Sequence, residues 1–421
     1  MRSNYKRIGD FIELVDERNK DLRVTKLLGL SITKEFIPSV ANTVGTNMVN
    51  YKIIKKNQFA CSVMQVRRDK KMPVALLRDF DEAIISQAYP VFEILNEAEL
   101  LPDYLMMWFS RSEFDRHACF LAVGGVRGSL EWDDFLDMEL PVPSIDKQRA
   151  IVKEYNTIIN RIKLNEELNQ KLEETAQTLY KHWFVDFEFP DENGKPYKSS
   201  GGEMLYNDEL DQEIPKGWEQ TTLGSLLKSK GYVRGPFGSA LKKDDMLPIG
   251  VPVYEQKHAI DDHRNFRYFI SEDKHKTLAR FTVEPNDMVI SCSGTLGRVA
   301  MIKMDDPLGV INQALLILRP NPNRFKPICL YYYLTSKKGN NSLIENSSGS
   351  AQINIAKREI IQSIPFVLPP SEIQDEMEQN LLVVIERINL LKKETIRLIG
   401  FRNIVLSKMS KAESFESSKA L

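Results

Sequence analysis

The chain has 421 residues, 57 Lys and Arg against 58 Asp and Glu, and 42% hydrophobic residues, which is typical of a globular protein with two or three domains. Its net charge of -1 argues against a protein that coats nucleic acid by electrostatic attraction alone, but it allows DNA binding by local basic patches. No apolar run approaches the roughly 18 to 20 residues of a membrane span, and the N-terminus has no hydrophobic signal core, so we expect a cytoplasmic protein.

Residues 1–143 form the first globular segment, with β-rich runs at 51–54, 58–66 and 88–94 and a predicted helix at 102–114. Within it, residues 65–71 (QVRRDKK) carry four basic side chains. Arg and Gln side chains can form bidentate contacts with guanine and adenine edges, so this run is a candidate DNA contact. A basic run is also typical of a solvated protein face, and both interpretations remain open.

The next segment, residues 144–190, follows a Pro-rich turn and contains nearly forty residues without Pro, which predicts a long helix. An acidic residue in its first turn is typical of a helix N-terminus. A stripe of residues with unbroken 4-3 spacing runs along it, and such a stripe needs a partner helix to cover it. Its members are Ile151, Tyr155, Ile158, Ile162, Asn165, Asn169, Leu172, Ala176, Leu179 and Trp183.

Residues 191–215 are polar and Gly/Ser-bearing, which predicts a linker. The second globular segment, residues 216–369, repeats the order of β runs and helix, with the helix predicted at 326–336. Two of its loops, 231–243 (GYVRGPFGSALKK) and 291–298 (SCSGTLGR), combine glycines with basic residues, so their backbone N–H groups can approach phosphates closely. Two tight turns with solvated lysines are the alternative.

Residues 370–410 predict a second long helix, and residues 411–421 predict a disordered tail. The second helix carries the same stripe, with Met377 in the place of Ile151 and every later member at the same offset, so the simplest partner of each helix is the other copy. In that case the polar members would restrict register; otherwise each stripe packs on its own domain. The members are Met377, Leu381, Val384, Ile388, Leu391, Thr395, Leu398, Arg402, Val405 and Met409.

The offset between the two stripes also relates other parts of the two halves. AIISQAYPVFEI aligns with GVINQALLILRP, which places Gln87 on Gln313, and LPVPSIDKQ aligns with FVLPPSEIQ, which places Gln148 on Gln374. An internal repeat of this length indicates two copies of one structural unit. Gln87 and Gln313 are either DNA contacts or buried polar residues that hold the core.

Motifs for catalysis are missing from the sequence. There is no GxxxxGK[ST] phosphate loop, no HExxH or GxSxG motif and no [DN]PP[YF] tetrapeptide of an amino-methyltransferase. The five histidines lack ligand spacing, and the four cysteines (Cys61, Cys119, Cys292 and Cys329) are scattered. We therefore expect no catalytic residue, no metal site, and reduced, mostly buried cysteines.

Four segments resemble the specificity subunits of type I restriction-modification systems. They are the helix exit LYKHWFVDFEFP, the entry IPKGWEQTTLGSL, the loops GPFGSALKKDD and GTLGRVAMI, and the two Pro-containing turns that lead into the long helices. Together with the repeat, the resemblance covers nearly the whole chain. The first half departs from the pattern, since it has QVRRDKKMPVALL where the second half has GTLGRVAMI.

The resemblance implies an α+β fold: two mixed α/β target recognition domains, separated by two long helices that pair as an antiparallel coiled coil. It implies a non-catalytic subunit in which each domain reads one half of a bipartite double-stranded DNA site and the helices set the spacing. The expected partners are two methyltransferase subunits and ATP-dependent restriction/translocase subunits. S-adenosylmethionine, ATP and Mg are expected on those partners, with no cofactor on this chain.

Candidate site residues follow from the matched motifs and the basic run. The DNA-binding candidates are Gln65, Arg67, Arg68, Lys71, Gly235, Gly238, Ser239, Lys242, Thr295 and Arg298. The helix-pairing candidates are Ile151, Tyr155, Ile158, Ile162, Leu172, Leu179, Met377, Leu381, Val384, Ile388, Leu398 and Val405. A coiled-coil scaffold that binds only proteins, or a silent exchange copy of a specificity subunit, are the alternatives.

Overall fold

The computed structural model describes residues 5–39, 47–124, 128–345, 355 and 357–409. The chain forms two compact units: unit 1 is Met1–Glu166 with Lys393–Leu421, and unit 2 is Glu167–Lys392. Each unit therefore contains one globular segment and part of both long helices. The predicted disordered tail, residues 411–421, lies outside the described residues.

Unit 1 is built on a four-stranded antiparallel sheet with the strand order β2-β9-β6-β7, accompanied by the antiparallel pairs β1–β10, β3–β4 and β5–β8. Its strands are β1 (Tyr5–Arg7), β2 (Ile12–Val15), β3 (Leu28–Leu30), β4 (Phe36–Pro38), β5 (Lys52–Lys55), β6 (Phe59–Cys61), β7 (Val74–Leu76), β8 (Glu82–Ile85), β9 (Val91–Ile94) and β10 (Glu139–Pro141). Its short helices are α1 (Val66–Asp69), α2 (Pro102–Phe109), α3 (Ser112–Leu121) and α4 (Trp132–Asp137).

Aromatic side chains fill the space between this sheet and the helices. The Phe59 and Phe92 rings stack across β6 and β9 at 5.0 Å, and the Phe109 ring from α2 meets the Phe59 ring edge-on at 6.0 Å. The helix predicted at 102–114 is broken after Phe109, and a second helix begins at Ser112. The break lets both helices pack on one small sheet.

Two helices are much longer than the others: α5 (Ile145–Phe184, 40 residues) and, at the end of the described chain, a 38-residue helix over Ser371–Lys408. Between them, unit 2 contains β11 (Met204–Asn207), β12 (Gln212–Pro215), β13 (Glu219–Thr222), β14 (Leu227–Arg234), β15 (Val251–Tyr254), α6 (Gln256–Ile260), β16 (Phe269–Ile270), α7 (Glu272–Thr277), β17 (Met288–Ser291), β18 (Val299–Met301), β19 (Val310–Ile311), β20 (Leu315–Pro320), α8 (Pro327–Thr335), α9 (Lys337–Glu345), α10 (Arg358–Gln362) and β21 (Pro365–Leu368). The long helix that follows is α11.

The main sheet of unit 2 repeats that of unit 1. Its order is β14-β20-β17-β18, again antiparallel throughout, with β13–β21 in the place of β1–β10. The offset that places Gln148 on Gln374 also places the first residue of α4 on that of α10, the first of β10 on that of β21, and the first of α5 on that of α11. The internal repeat predicted from the sequence is thereby confirmed.

A buried glutamine attaches each long helix to its own unit. Gln148 accepts a hydrogen bond from the Leu101 N–H (3.0 Å) and donates to the carbonyls of Glu99 (2.8 Å) and Pro143 (2.9 Å). Gln374, its repeat partner, makes the corresponding three bonds: it accepts from the Lys326 N–H and donates to the Arg324 carbonyl just before α8, and it donates to the Pro369 carbonyl just before the second long helix. Both side chains satisfy their amide groups away from water, which explains why a polar residue occupies a core position.

The stretch predicted as a linker, residues 191–215, is ordered and contains the antiparallel hairpin β11–β12. Next to it, the Phe189 ring stacks on Tyr197 at 4.6 Å and lies 5.2 Å from the Trp218 ring. The connection is thus fixed to unit 2 by aromatic packing, although its composition is polar.

The two predicted stripes are covered in the structure, because every one of their members is buried or half-buried. In unit 1, Arg161 donates two hydrogen bonds to the Glu394 carboxylate (2.9 and 3.0 Å), and the buried Asn165 amide donates to Glu394 and to the Thr395 hydroxyl. In unit 2, Ala176 and Trp183 share a hydrophobic cluster with Met377, Leu381 and Val384. Other stripe members, including Ile151 and Tyr155, also pack on the core of unit 1.

In the part of the chain that the structure describes, no helix is long and apolar enough to cross a bilayer. Cys61, Cys292 and Cys329 are buried and unpaired, and Cys119 is half-buried, as expected for reduced thiols. Burial raises the pKa of the Cys292 thiol to about 12, so this thiol stays protonated and unreactive at neutral pH.

Candidate nucleic-acid interface

In unit 2, strand directions bring the two glycine-bearing loops to one edge of the sheet. Strands β14 and β17 are both antiparallel to β20, and Arg234 and Ile290 pair with opposite sides of Leu316. The carboxyl ends of β14 and β17 therefore flank the start of β20. The loops that follow these strands, residues 235–250 and 292–298, leave the sheet together, so the structure joins two motifs that are far apart in sequence.

Gly235, the first residue of one loop, has a packing role. It is buried, its N–H donates to the Leu315 carbonyl at 3.0 Å, and a Cβ at this position would lie 1.9 Å from the Asn312 carbonyl oxygen. Gly235 therefore allows the loop to approach the neighbouring turn and is not exposed to DNA. We leave it out of the candidate contact surface.

The tip of this loop is exposed. Gly238 has a positive φ of 63°, and no atom lies within 4 Å of an added Cβ, so the residue turns the chain in open space. Lys242 is exposed, and its N–H donates to the Asp245 carboxylate at 2.7 Å, which closes the next turn. The Ser239 side chain lies outside the described residues. Gly238 and Lys242 remain candidates for phosphate contact.

The second loop, residues 292–298, is the tight connection of the β17–β18 hairpin. The Ser291 hydroxyl donates to the Thr295 carbonyl at 2.5 Å and accepts the Arg298 N–H at 3.0 Å. Thr295 and Arg298 are exposed, and the Arg298 guanidinium has no hydrogen-bond or ion-pair partner among the residues that the structure describes. The Ser291 hydroxyl thus holds the backbone of this loop, and the exposed Arg298 guanidinium is unpaired within the described part of the chain.

Unit 1 has the equivalent edge. Strands β2 and β6 are both antiparallel to β9, and the Cys61 N–H at the end of β6 donates to the Pro90 carbonyl at 3.1 Å. The segment between β6 and β7, residues 62–73, therefore occupies the position of residues 292–298 in unit 2. The sequence prediction that the basic run matches the second glycine loop is confirmed.

The basic run folds into the one-turn helix α1. Gln65 precedes it in a left-handed conformation (φ 63°), and the Arg67 guanidinium donates to the Gly124 carbonyl at 2.9 Å. Arg68 is exposed but bonded to the adjacent Asp69 carboxylate (2.6 and 3.0 Å), which lowers the pKa of Asp69. Lys71 is exposed, with no ion pair among the described residues. Because exposed pairs contribute little free energy, Arg68 can exchange Asp69 for a phosphate.

Gln87 and Gln313 are exposed, so the interpretation of these residues as buried core glutamines is wrong. They lie in the turns that lead into β9 and β20, between the loops just described. The alternation of apolar residues along the strands could not predict the exposure of Gln87 and Gln313, because both residues lie just outside the strands.

Sequence reasoning missed the residues that brace these loops. Gln256 donates to the Ser293 carbonyl and accepts from the Ser293 hydroxyl (3.2 Å). In unit 1, the buried Lys34 ammonium lies 2.8 Å from the Asp115 carboxylate, which also accepts the Met72 N–H at the end of the basic run. Burial lowers the pKa of Lys34. No sequence signal pointed to these bonds, because each joins residues at least 37 positions apart.

Comparison with known proteins places these features in a family. The family described as the type I restriction modification DNA specificity domain matches residues 3–174 and 215–399, which is well over half of the chain. The specificity subunit of type I restriction enzyme MjaIX from Methanocaldococcus jannaschii is 24% identical over 323 residues, covering 75% of this chain and 70% of that protein. The HindI specificity subunit of Haemophilus influenzae is 22% identical over 418 residues, covering 86% of this chain and 87% of that protein.

The fold has a counterpart among solved structures. The type I restriction-modification S subunit from M. genitalium aligns with a TM-score of 0.55 at 16% identity, covering 96% of this chain and 95% of that one. At this identity the likeness concerns the fold alone.

Proposed function

The chain belongs to the type I restriction-modification DNA specificity family, and we propose that it supplies the sequence specificity of such a system while performing no chemistry itself. The observation that carries the proposal is the repeated sheet edge, where each unit presents loops with exposed polar and basic side chains. In the two units these loops occupy equivalent places and have different sequences. Two equivalent domains with different loop sequences are suited to bind two half-sites of different DNA sequence.

We assign direct contacts to the exposed candidates. In unit 2 these are Gly238, Lys242, Thr295 and Arg298; in unit 1 they are Arg67, Arg68 and Lys71, together with the half-buried Gln65. Contacts with phosphates position each domain, and contacts with base edges in the grooves select the sequence. Arg298 is suited to base or phosphate contact, because its guanidinium fork is unoccupied by protein among the described residues.

We propose that the long helices pair as an antiparallel coiled coil that sets the distance between the half-sites. Support comes from unit 1, where contacting residue numbers rise along α5 and fall along α11: Lys408 bonds to Glu154 at 3.3 Å, and Arg161 bonds to Glu394. At about 1.5 Å per residue, 40 residues extend over roughly 60 Å. One turn of DNA is roughly 34 Å, so helices of this length suit a bipartite site.

The proposed partners are two methyltransferase subunits and the restriction/translocase subunits, which would carry S-adenosylmethionine, ATP and Mg. Helix α11 offers a docking surface, since it exposes large apolar side chains such as Val383, Leu390, Ile396 and Phe401. Exposed apolar residues at this density are typical of protein interfaces. In unit 1, Phe401 also lines a groove of about 600 Å³ with residues of α5.

Methylation mapping of the host genome by long-read sequencing, with and without the gene, tests the proposal. We expect one bipartite adenine motif to disappear on deletion, which would also identify both half-sites. If the motifs are unchanged and the purified chain binds no duplex in preference to a scrambled control, the specificity role is wrong and the scaffold alternative gains support.

Arg68→Ala tests the assignment in unit 1. We expect weaker or relaxed recognition of one half-site, with unchanged assembly of the complex and an unchanged second half-site. Unaltered methylation of the complete motif would remove Arg68 from the contact surface.

A further inference from the structure

Gln87 and Gln313 occupy the same position of two matching β-turns. In one turn the Tyr89 N–H donates to the Ser86 carbonyl at 3.1 Å, and the Ala88 N–H donates to the Ser86 hydroxyl at 3.4 Å. The other turn has the same pair of bonds at the equivalent repeat positions, with Asn312 in the place of Ser86. There, the Leu315 N–H donates to the Asn312 carbonyl at 3.2 Å, and the Ala314 N–H donates to its side-chain oxygen at 3.0 Å.

Each turn lies at the centre of the sheet edge that carries the candidate loops. On one side of the Gln313 turn, the Gly235 N–H donates to the Leu315 carbonyl; on the other, the Cys292 N–H donates to the Ala314 carbonyl at 2.8 Å. In unit 1, β9 begins between β2 and β6 in the same way. Gln313 is thus bracketed by the loops 235–250 and 292–298 of unit 2, and Gln87 lies between the end of β2 and the segment 62–73 of unit 1.

Within the described part of the chain, the two glutamines also have unused hydrogen-bonding groups. Both residues are exposed, and neither their side-chain amides nor their main-chain N–H groups have a hydrogen-bond partner among the residues that the structure describes. By contrast, the glutamines of the other repeat pair, Gln148 and Gln374, are buried and fully bonded. Burial and hydrogen bonding explain why glutamine occupies positions 148 and 374. No contact among the described residues explains why glutamine occupies positions 87 and 313.

We propose that Gln87 and Gln313 each donate a hydrogen bond to the sugar-phosphate backbone of one half-site, a contact that both units make whatever bases their loops read. This inference rests on the proposed function. The flanking loops differ between the units (QVRRDKK against SCSGTLGR), while the central glutamine and its capped turn are the same. Two half-sites of different sequence have the same sugar-phosphate backbone, so a side chain that is the same in both units is suited to contact the backbone. Amide N–H groups commonly donate hydrogen bonds to phosphate oxygens.

The test uses the full chain and two labelled duplexes, one with the mapped motif and one scrambled. For Gln87→Ala and Gln313→Ala we expect about three- to tenfold weaker binding to both duplexes, the net loss expected for one solvent-accessible hydrogen bond from an uncharged amide. The slope of affinity against salt should be unchanged, because a neutral amide displaces no counterion. Gln313→Glu should lose more than Gln313→Ala, since it places a negative charge beside the phosphates.

Gln379→Ala is the matched control, because Gln379 is an exposed glutamine on α11. It should bind both duplexes as the unmodified chain does. Thermal unfolding should be the same for all these variants, since every substituted side chain is exposed. Methylation maps of cells carrying Gln313→Ala should show the original motif at a lower modified fraction.

Two results would overturn the inference while leaving the proposed function intact. One is binding by the alanine variants that equals that of the unmodified chain. The other is a loss confined to the motif duplex, with a relaxed base in the methylation map, which would assign base reading to these glutamines. If the unmodified chain itself shows no preference for the motif duplex, the proposed function fails together with the inference.

Discussion

The buried amide of Gln148 allows a quantitative prediction about how the long helix is attached to unit 1. The side chain has no exposed surface, and it makes three hydrogen bonds of 2.8 to 3.0 Å to main-chain groups of Leu101, Glu99 and Pro143. Gln148→Ala removes all three and leaves the Leu101 N–H and two carbonyls without these partners. It also opens a cavity of four heavy atoms.

An orphaned buried polar group costs about 1–3 kcal/mol, and the cavity adds to this, so we expect unit 1 to lose about 3 kcal/mol of unfolding free energy. That is about a hundredfold in the unfolding equilibrium. Gln374→Ala should have a similar effect in unit 2, where Gln374 makes the equivalent bonds. Hydrogen exchange followed by mass spectrometry distinguishes the units: residues 101–109 should exchange faster in the first variant only.

Gln379→Ala, an exposed change on α11, should stay within about 0.5 kcal/mol of the unmodified chain. Losses below about 1 kcal/mol for both buried glutamines would refute the reasoning. Such a result would mean that water or rearranged side chains satisfy the orphaned groups.

Gly235→Ala should lower the melting temperature markedly and weaken binding to one half-site, because its Cβ would lie 1.9 Å from a carbonyl oxygen. Gly238→Ala should lower the unfolding free energy by only about 1–2 kcal/mol, because its Cβ would lie in open space and only the φ of 63° is unfavourable. Equal effects in thermal scans would contradict this assignment. Burial lowers the pKa of His258, whose Nδ1 accepts the Glu255 N–H at 2.7 Å. Neutral His258 therefore contributes fully to the unfolding free energy above its ordinary pKa of about 6.5, and this contribution is lost as the pH falls below that value. In a His258→Gln variant the unfolding free energy should change less between about pH 7 and 5. Leu172→Pro should cost about 3 kcal/mol or more locally and disturb the spacing of the methylated motif; an unaltered motif would contradict the role of the helices in spacing.

Local elements were predictable because their signals are contained in neighbouring residues. The 4-3 stripes of α5 and α11 and the Pro-rich turns before them defined the long helices, which begin at the equivalent positions Ile145 and Ser371. The β-rich run at 58–66 was overextended: the strand covers only Phe59–Cys61, and the chain then turns into α1 through Gln65, which has a left-handed conformation. Side-chain pattern does not report such a turn.

The candidate site was predicted in part. The basic run and the second glycine loop do occupy equivalent positions, and Arg298 and Lys71 are exposed as DNA contact requires. Gly235, in contrast, is buried against the turn at Asn312, although its motif looks like a phosphate-binding loop. A glycine that approaches a phosphate and a glycine that approaches a neighbouring backbone have the same sequence signature, since both need only a missing Cβ.

The sequence by itself determined the repeat, the long helices and the family, because periodicity and motif spacing are properties of the chain read in order. Only the tertiary structure decided which loops share an edge and which polar residues face outward. Gln87 and Gln148 show the difference: both have a glutamine as repeat partner at the same offset, yet one is exposed and unbonded in the described structure while the other is buried with three bonds. Strand order and the direction of packing decide this, and they depend on contacts between residues far apart in the chain.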